Sequence, residues 1–88
     1  LQNALQYLRD SGFNVLAATE HATANYTKVD MTMPTAIVMG SEDKGIYEGN
    51  LRICSHQVRI PMSGVIESLN VSVAAGIMLY EAVRQRGC

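Results

Sequence analysis

The feature that most constrains the fold is a set of three short strand-like segments, the first two nearly uninterrupted in apolar character, each closed by a polar or glycine-rich stretch. Phe13–Ala18 carries β-branched and aromatic residues and no charge. Thr35–Met39 reads Thr-Ala-Ile-Val-Met, and Gln57–Ile60 runs into Pro61. Strands of continuous apolar character fit a parallel sheet covered on both faces better than a half-solvated antiparallel one. Helical patterns lie between and around them, so the spacing predicts an α/β alternation: helix, strand, loop, strand, helix, strand, helix.

The first helix is predicted from Leu1, Ala4, Leu5 and Leu8, which share one helix face. Gly12, after Asp10-Ser11, is its stop. No N-cap precedes Leu1, and the pattern predicts a segment upstream of it. Ile46–Cys54 is read as a short helix weakened by Gly49. The final helix is predicted over Leu69–Arg86, with Ser68 as N-cap and Arg84 and Arg86 suited to its carbonyl end. Gly87 closes it. This helix is apolar nearly all round until Glu81, which predicts burial on several sides and a subunit interface, a twofold homodimer being the commonest kind. Thr19–Pro34 is long and polar for a connection, and long loops are often functional.

The chain has 88 residues, so one domain is the ceiling and a piece of a larger one is an option. At 48% hydrophobic and 17% charged it is ordinary globular material rather than a disordered segment. No apolar run approaches the roughly 18 residues a membrane span needs. The net charge of −1 offers no basic footprint for nucleic acid. Cys54 and Cys88 are too few for a disulfide framework, which makes a reduced, cytoplasmic setting the default. Cys54 is expected to pack as a small hydrophobe. His21 and His56 have no ligand partner at metal-binding spacing, so no metal is expected.

In parallel sheets ligands bind beyond the carboxyl ends of the strands. Three segments occupy that edge: Thr19-Glu20-His21, Gly40–Gly45 and Pro61–Ser68. Gly40-Ser41-Glu42-Asp43-Lys44-Gly45 has neither P-loop nor dinucleotide spacing. Alone it reads as a tight turn whose charges face water. Ser68 and Asn70 flank a helix start, where capping is the plain explanation. Asn70 is harder to explain that way, because Asn is a poor helix former without local hydrogen bonds.

Taken together, the segments resemble one family. Ile37-Val38-Met39-Gly40-Ser41-Glu42-Asp43-Lys44-Gly45-Ile46 resembles the second motif of the SpoU/TrmH class of RNA ribose 2′-O-methyltransferases. Ile60-Pro61-Met62-Ser63-Gly64, then Glu67-Ser68-Leu69-Asn70-Val71-Ser72-Val73-Ala74, resembles its third. The resemblance covers essentially the whole chain. It implies the SPOUT α/β knot, a mostly parallel sheet with helices on both faces and a C-terminal trefoil knot, an exception to the rule against threaded chains. It implies S-adenosylmethionine as cofactor, held largely by main-chain groups at Thr19, Met39, Gly40, Ile60, Met62 and Leu69. It places Glu42, Ser68 and Asn70 in the active centre.

The family's first motif, with its Asn and Arg, has no counterpart here, and Arg9 lies too near the first strand to supply it. Residues 1–88 are therefore expected to be the C-terminal part of the methyltransferase domain. The implied activity is methyl transfer to a ribose 2′-OH, with rRNA preferred over tRNA as substrate and a homodimer as the assembly. The alternatives are a tRNA-specific enzyme and a non-catalytic RNA- or cofactor-binding module of the same fold.

Overall fold

The structure, a computed structural model, describes residues 1–40, 45–61 and 71–87. Among them α1 (Gln2–Asp10) leads into β1 (Asn14–Ala18). The short strand β2 (Ala24–Asn25) and a 3-10 turn (Tyr26–Lys28) follow. Then come β3 (Thr35–Val38), α2 (Glu48–Ile53), β4 (His56–Arg59) and α3 (Val71–Gln85). The strands lie in the order β2-β4-β1-β3 and every pairing is parallel.

α1 ends as its sequence dictates. Gly12 adopts φ +94°, a left-handed conformation that costs glycine nothing. Its N–H donates to Arg9 O at 3.1 Å, and Phe13 N–H donates to Leu8 O at 3.0 Å. This double closure satisfies carbonyls that the last turn would leave unpaired. Phe13 and Leu8 then pack against the same apolar cluster, turning the chain directly into β1.

Side chains alternate across β1 because successive residues of a strand point to opposite faces. Val15 and Ala17 join Leu5, Val38 and Cys54 under α1 and α2. Leu16 joins Met31, Val58 and Met78 under α3. Both faces of β1 are thus covered, which is why Asn14–Ala17 is wholly buried. Arg9 Nη1 donates to Ile53 O at 3.0 Å, tying α1 to the end of α2. Cys54 packs in the core as expected, and its thiol meets Asn50 O at 3.3 Å.

One expectation needs correction. The segment 19–34 is not all loop. Ala24–Asn25 pairs with Val58–Arg59, and the Asn25 side chain caps the next turn by accepting from Thr27 N–H at 2.9 Å. A two-residue strand carries no periodicity to read. The described residues cover the last helix on one stripe only, in keeping with the expectation that its remaining cover comes from outside this chain. Ala74, Met78 and Glu81 are buried on one stripe, while Val73, Leu79, Tyr80 and Val83 are exposed. The helix is apolar on faces that nothing described here covers. The other boundaries shift by one or two residues, and the expected cap Ser68 lies outside the described residues.

Polar contacts fix the direction of α3. Gln85 Nε2 donates to Val29 O at 2.9 Å, and Gln85 Oε1 accepts from Met31 N–H at 2.7 Å. Arg86 Nε donates to Met31 O and its Nη2 to Met33 O, both at 3.0 Å. These acceptors lie just before β3, at the amino edge of the sheet. The end of α3 is therefore pinned there, and its 15 residues, about 22 Å at 1.5 Å each, run back across the sheet. Val71 is carried towards the carboxyl edge.

Candidate cofactor site at the carboxyl edge

The register sets Ala17 beside both Val38 and Gln57, and Ala18 beside Val58. The ends of β3, β1 and β4 therefore lie side by side. Thr19, Met39, Gly40 and Ile60, each half-buried, continue from those three ends. Thr19 N–H donates to Val58 O at 2.9 Å, joining two of the three exits. Its hydroxyl accepts from His21 N–H at 3.3 Å and its carbonyl from Ala22 N–H at 3.2 Å, which folds the chain into a turn beside the edge. Glu20 and His21 stand on that turn, largely in water, with 3.9 Å between carboxylate and imidazole.

Gly40 is required by close approach rather than by its torsions. A Cβ there would collide with the backbone of Gly45 and lie 2.7 Å from Ile46 N. Gly45, at φ +69°, supplies the left-handed residue. The two glycines bring the main chain on either side of segment 41–44 into contact at the end of β3. A surface of main-chain groups with one hydroxyl, rimmed by Met39 and Ile60, suits a ligand with an apolar ring and polar edges.

Of the residues singled out in the sequence, these four meet at one edge. Glu42, Met62, Ser68, Leu69 and Asn70 lie outside the described residues. His21 and His56 are both exposed. No group of His, Cys, Asp and Glu among the described residues could hold a metal ion. No helix among them is long and apolar enough to cross a membrane.

At the opposite, amino edge, the last turns of α3 carry a second set of interacting polar groups. Glu81 is buried, and its carboxylate takes Arg84 Nε and Nη2 at 2.7 and 2.8 Å and Gln85 Nε2 at 2.8 Å. The hydrogen bonds from Arg84 and then Gln85 lower its pKa from 4.5 to about 2, against a smaller opposing effect of burial. Arg84 is pushed up in return. Asp30 is lowered by the Thr32 hydroxyl and N–H, and burial pushes the Cys54 thiol up. Two open concavities lie away from the carboxyl edge. One, of about 480 Å³, is lined at the amino edge by Asn14, Lys28, Asp30 and His56, among others. The other, of about 390 Å³, runs along α3 between Tyr26 and Tyr80.

The sequence pattern of the SpoU rRNA Methylase family matches residues 1–80. The chain belongs to the SpoU family. It is 42% identical over 87 residues to the tRNA (guanosine(18)-2′-O)-methyltransferase of Thermus thermophilus, covering 98% of this chain and 45% of that one. It is 42% identical over 86 residues to a 23S rRNA (guanosine-2′-O-)-methyltransferase RlmB from Burkholderia, covering 98% of this chain and 35% of that one. The fold agrees. The TrmH/SpoU tRNA modifying enzyme of A. aeolicus superposes with a TM-score of 0.87 at 40% identity, over 97% of this chain and 44% of that one. The SpoU methyltransferase AviRb from Streptomyces viridochromogenes, solved with AdoMet, gives 0.83 at 35% identity, over 96% and 34%. The chain thus spans less than half the length of these curated relatives. Its α/β architecture, with a parallel sheet between helices, is the one those enzymes share.

Proposed function

We propose that this chain is the cofactor-binding part of an S-adenosylmethionine-dependent RNA 2′-O-ribose methyltransferase. The observation that carries the reading is the meeting of Thr19, Met39, Gly40 and Ile60 across three adjacent strand ends, with Gly40 packed so closely that no side chain fits. The residues present fit the cofactor. Met39 and Ile60 offer apolar contact to an adenine ring, and main-chain groups with the Thr19 hydroxyl offer polar contact to its edge and ribose. Met62 and Leu69 complete the set. Support comes from family membership and from the cofactor bound to AviRb.

When bound, S-adenosylmethionine supplies an electrophilic methyl group on a sulfonium. The ribose 2′-oxygen forms the new bond to that methyl as the bond to sulfur breaks, and the hydroxyl proton must leave. This chain's residues orient the two reacting atoms and shield them. Ser68 and Asn70, which precede Val71 in sequence, hydrogen-bond the substrate or an arginine supplied from elsewhere. Glu42 orients that arginine or meets substrate groups. It is not the general base, because an ordinary carboxylate is too weak a base for a hydroxyl proton.

The finer reading has rRNA as substrate, a C-terminal trefoil knot, a homodimer and a cytoplasmic setting. The dimer is supported by the exposed Val73, Leu79, Tyr80 and Val83 on one helix. Relatives that act on either RNA match this chain equally, at 42% identity for the Thermus thermophilus tRNA enzyme and for the Burkholderia 23S rRNA enzyme. Calorimetric titration of the full-length protein with S-adenosylmethionine tests the site. Saturable binding that Gly40→Ala weakens supports it, and a folded protein that binds none refutes it. Transfer of tritiated methyl to rRNA and tRNA tests the chemistry. Loss of transfer in Asn70→Ala, with cofactor binding retained, is the expected result, and undiminished transfer removes Asn70 from the active centre.

A further inference from the structure

We infer that Arg59 is a contact for the phosphate backbone of the substrate RNA, standing at the rim of the carboxyl-edge site on a strip of sheet that no described helix covers. The inference rests on the RNA methyltransferase reading and adds to it a residue that holds the substrate.

Six lysines and arginines lie among the described residues, and four are committed within the fold. Arg9 serves Ile53 O, Arg52 lies 3.8 Å from Glu48, Arg84 holds Glu81 and Arg86 holds Met31 and Met33. The side chains of Arg59 and Lys28 make no hydrogen bond or ion pair among the described residues, and both are exposed. They lie at opposite edges. Lys28 lines the amino-edge concavity with His56. Arg59 is the last residue of β4, directly before Ile60 and one residue after Val58, whose carbonyl receives the Thr19 N–H.

The strip itself is unusual for a parallel sheet. Register puts Gln57 beside Ala17, so Gln57 and Arg59 share the face that α1 and α2 cover over β1. Strands buried on both faces read as continuous apolar runs. Here only Val58 of β4 is buried, towards α3, and Gln57 and Arg59 on the opposite face are exposed, with no described helix over them. No contact among the described residues accounts for an arginine there, because its guanidinium has no partner among them. Binding does. Every internal ribose carries a phosphate on each side, so a strand whose 2′-OH enters the site brings anions to its rim. A planar guanidinium matches two phosphate oxygens at once. Glu20, the described acid at this edge, sits with His21.

The test measures RNA binding directly, by fluorescence anisotropy of the full-length protein with labelled rRNA and tRNA fragments, from 50 to 200 mM salt. Arg59→Gln is expected to weaken binding about three- to tenfold and to lower the salt slope by about one. Arg59→Lys keeps the slope. Cofactor affinity is unchanged in both. Lys28→Gln, an equal change of charge at the far edge, leaves binding within about 1.5-fold. Unaltered affinity and slope in Arg59→Gln overturn the inference. An equal loss in Lys28→Gln also does, since it reduces the effect to bulk charge. An unsubstituted protein that binds RNA but transfers no methyl refutes the methyltransferase reading and leaves the contact standing.

Discussion

At the scale of single residues, the sequence announces what Gly12 does and conceals what Glu81 and Gln85 do. Gly12 was legible as a helix stop because only its own torsions matter. Gly40 reads in the sequence only as the start of a tight turn, and its close approach to the Gly45 backbone shows in the structure alone. Gln85 bonds Val29 and Met31, more than fifty positions away, and nothing local marks it. Glu81 read as the point where the apolar face ends, yet it is buried with Arg84 and Gln85 on its carboxylate. Glu81→Gln is expected to destabilise the fold by about 1–3 kcal/mol, since donors to a buried carboxylate lose their charged acceptor. The pH dependence follows from the lowered pKa. The carboxylate's stabilisation is complete above the unfolded value near 4.5 and is lost as pH falls towards 2. Denaturant midpoints of the two proteins should therefore converge across that window. Gly40→Ala is predicted to weaken S-adenosylmethionine by about tenfold or more, roughly 1.4 kcal/mol, because the added methyl displaces the Gly45 backbone. Calorimetry measures it.

At the scale of elements, α1, β1, β3, α2, β4 and α3 all lie where apolar pattern and breakers put them, within one or two residues. The miss was β2, whose two residues exist because Val58 and Arg59 offer a free edge to pair with. Such a strand is specified by its neighbour rather than by its own composition. Legibility of the site follows the same division. Thr19, Met39, Gly40 and Ile60 each end or follow a readable strand, which sets them at one edge of a parallel sheet; it was the family resemblance that singled them out. Arg59 was missed, because one charged residue in a strand says nothing until its side chain is seen to be exposed. The clamp at the end of α3 gives a prediction at this scale. Gln85→Leu removes three hydrogen bonds and leaves Met31 N–H without its partner, at a cost of about 1–3 kcal/mol. Hydrogen exchange should show the largest loss of protection over residues 29–33 and the last turn of α3, not over β1.

At the scale of the whole molecule, the apolar character of α3 exceeds what this chain buries. Met78 and Ala74 meet the sheet, whereas Leu79 and Tyr80 are 59% and 72% exposed. A contiguous exposed apolar face of this kind marks an interaction surface, and a second copy is the occupant the proposed function names. Leu79→Glu in the full-length protein should shift a dimer to monomer in analytical ultracentrifugation while leaving circular dichroism unchanged. The exposed position carries no core packing to lose.

The central claim is that the carboxyl edge presents S-adenosylmethionine to a ribose. The most direct measurement incubates the full-length protein with methyl-labelled S-adenosylmethionine and RNA, digests the RNA to nucleosides and locates the label by mass spectrometry. The account predicts label on the ribose 2′-oxygen, and its loss in Gly40→Ala. Label on a base, or none with the cofactor bound, would contradict it.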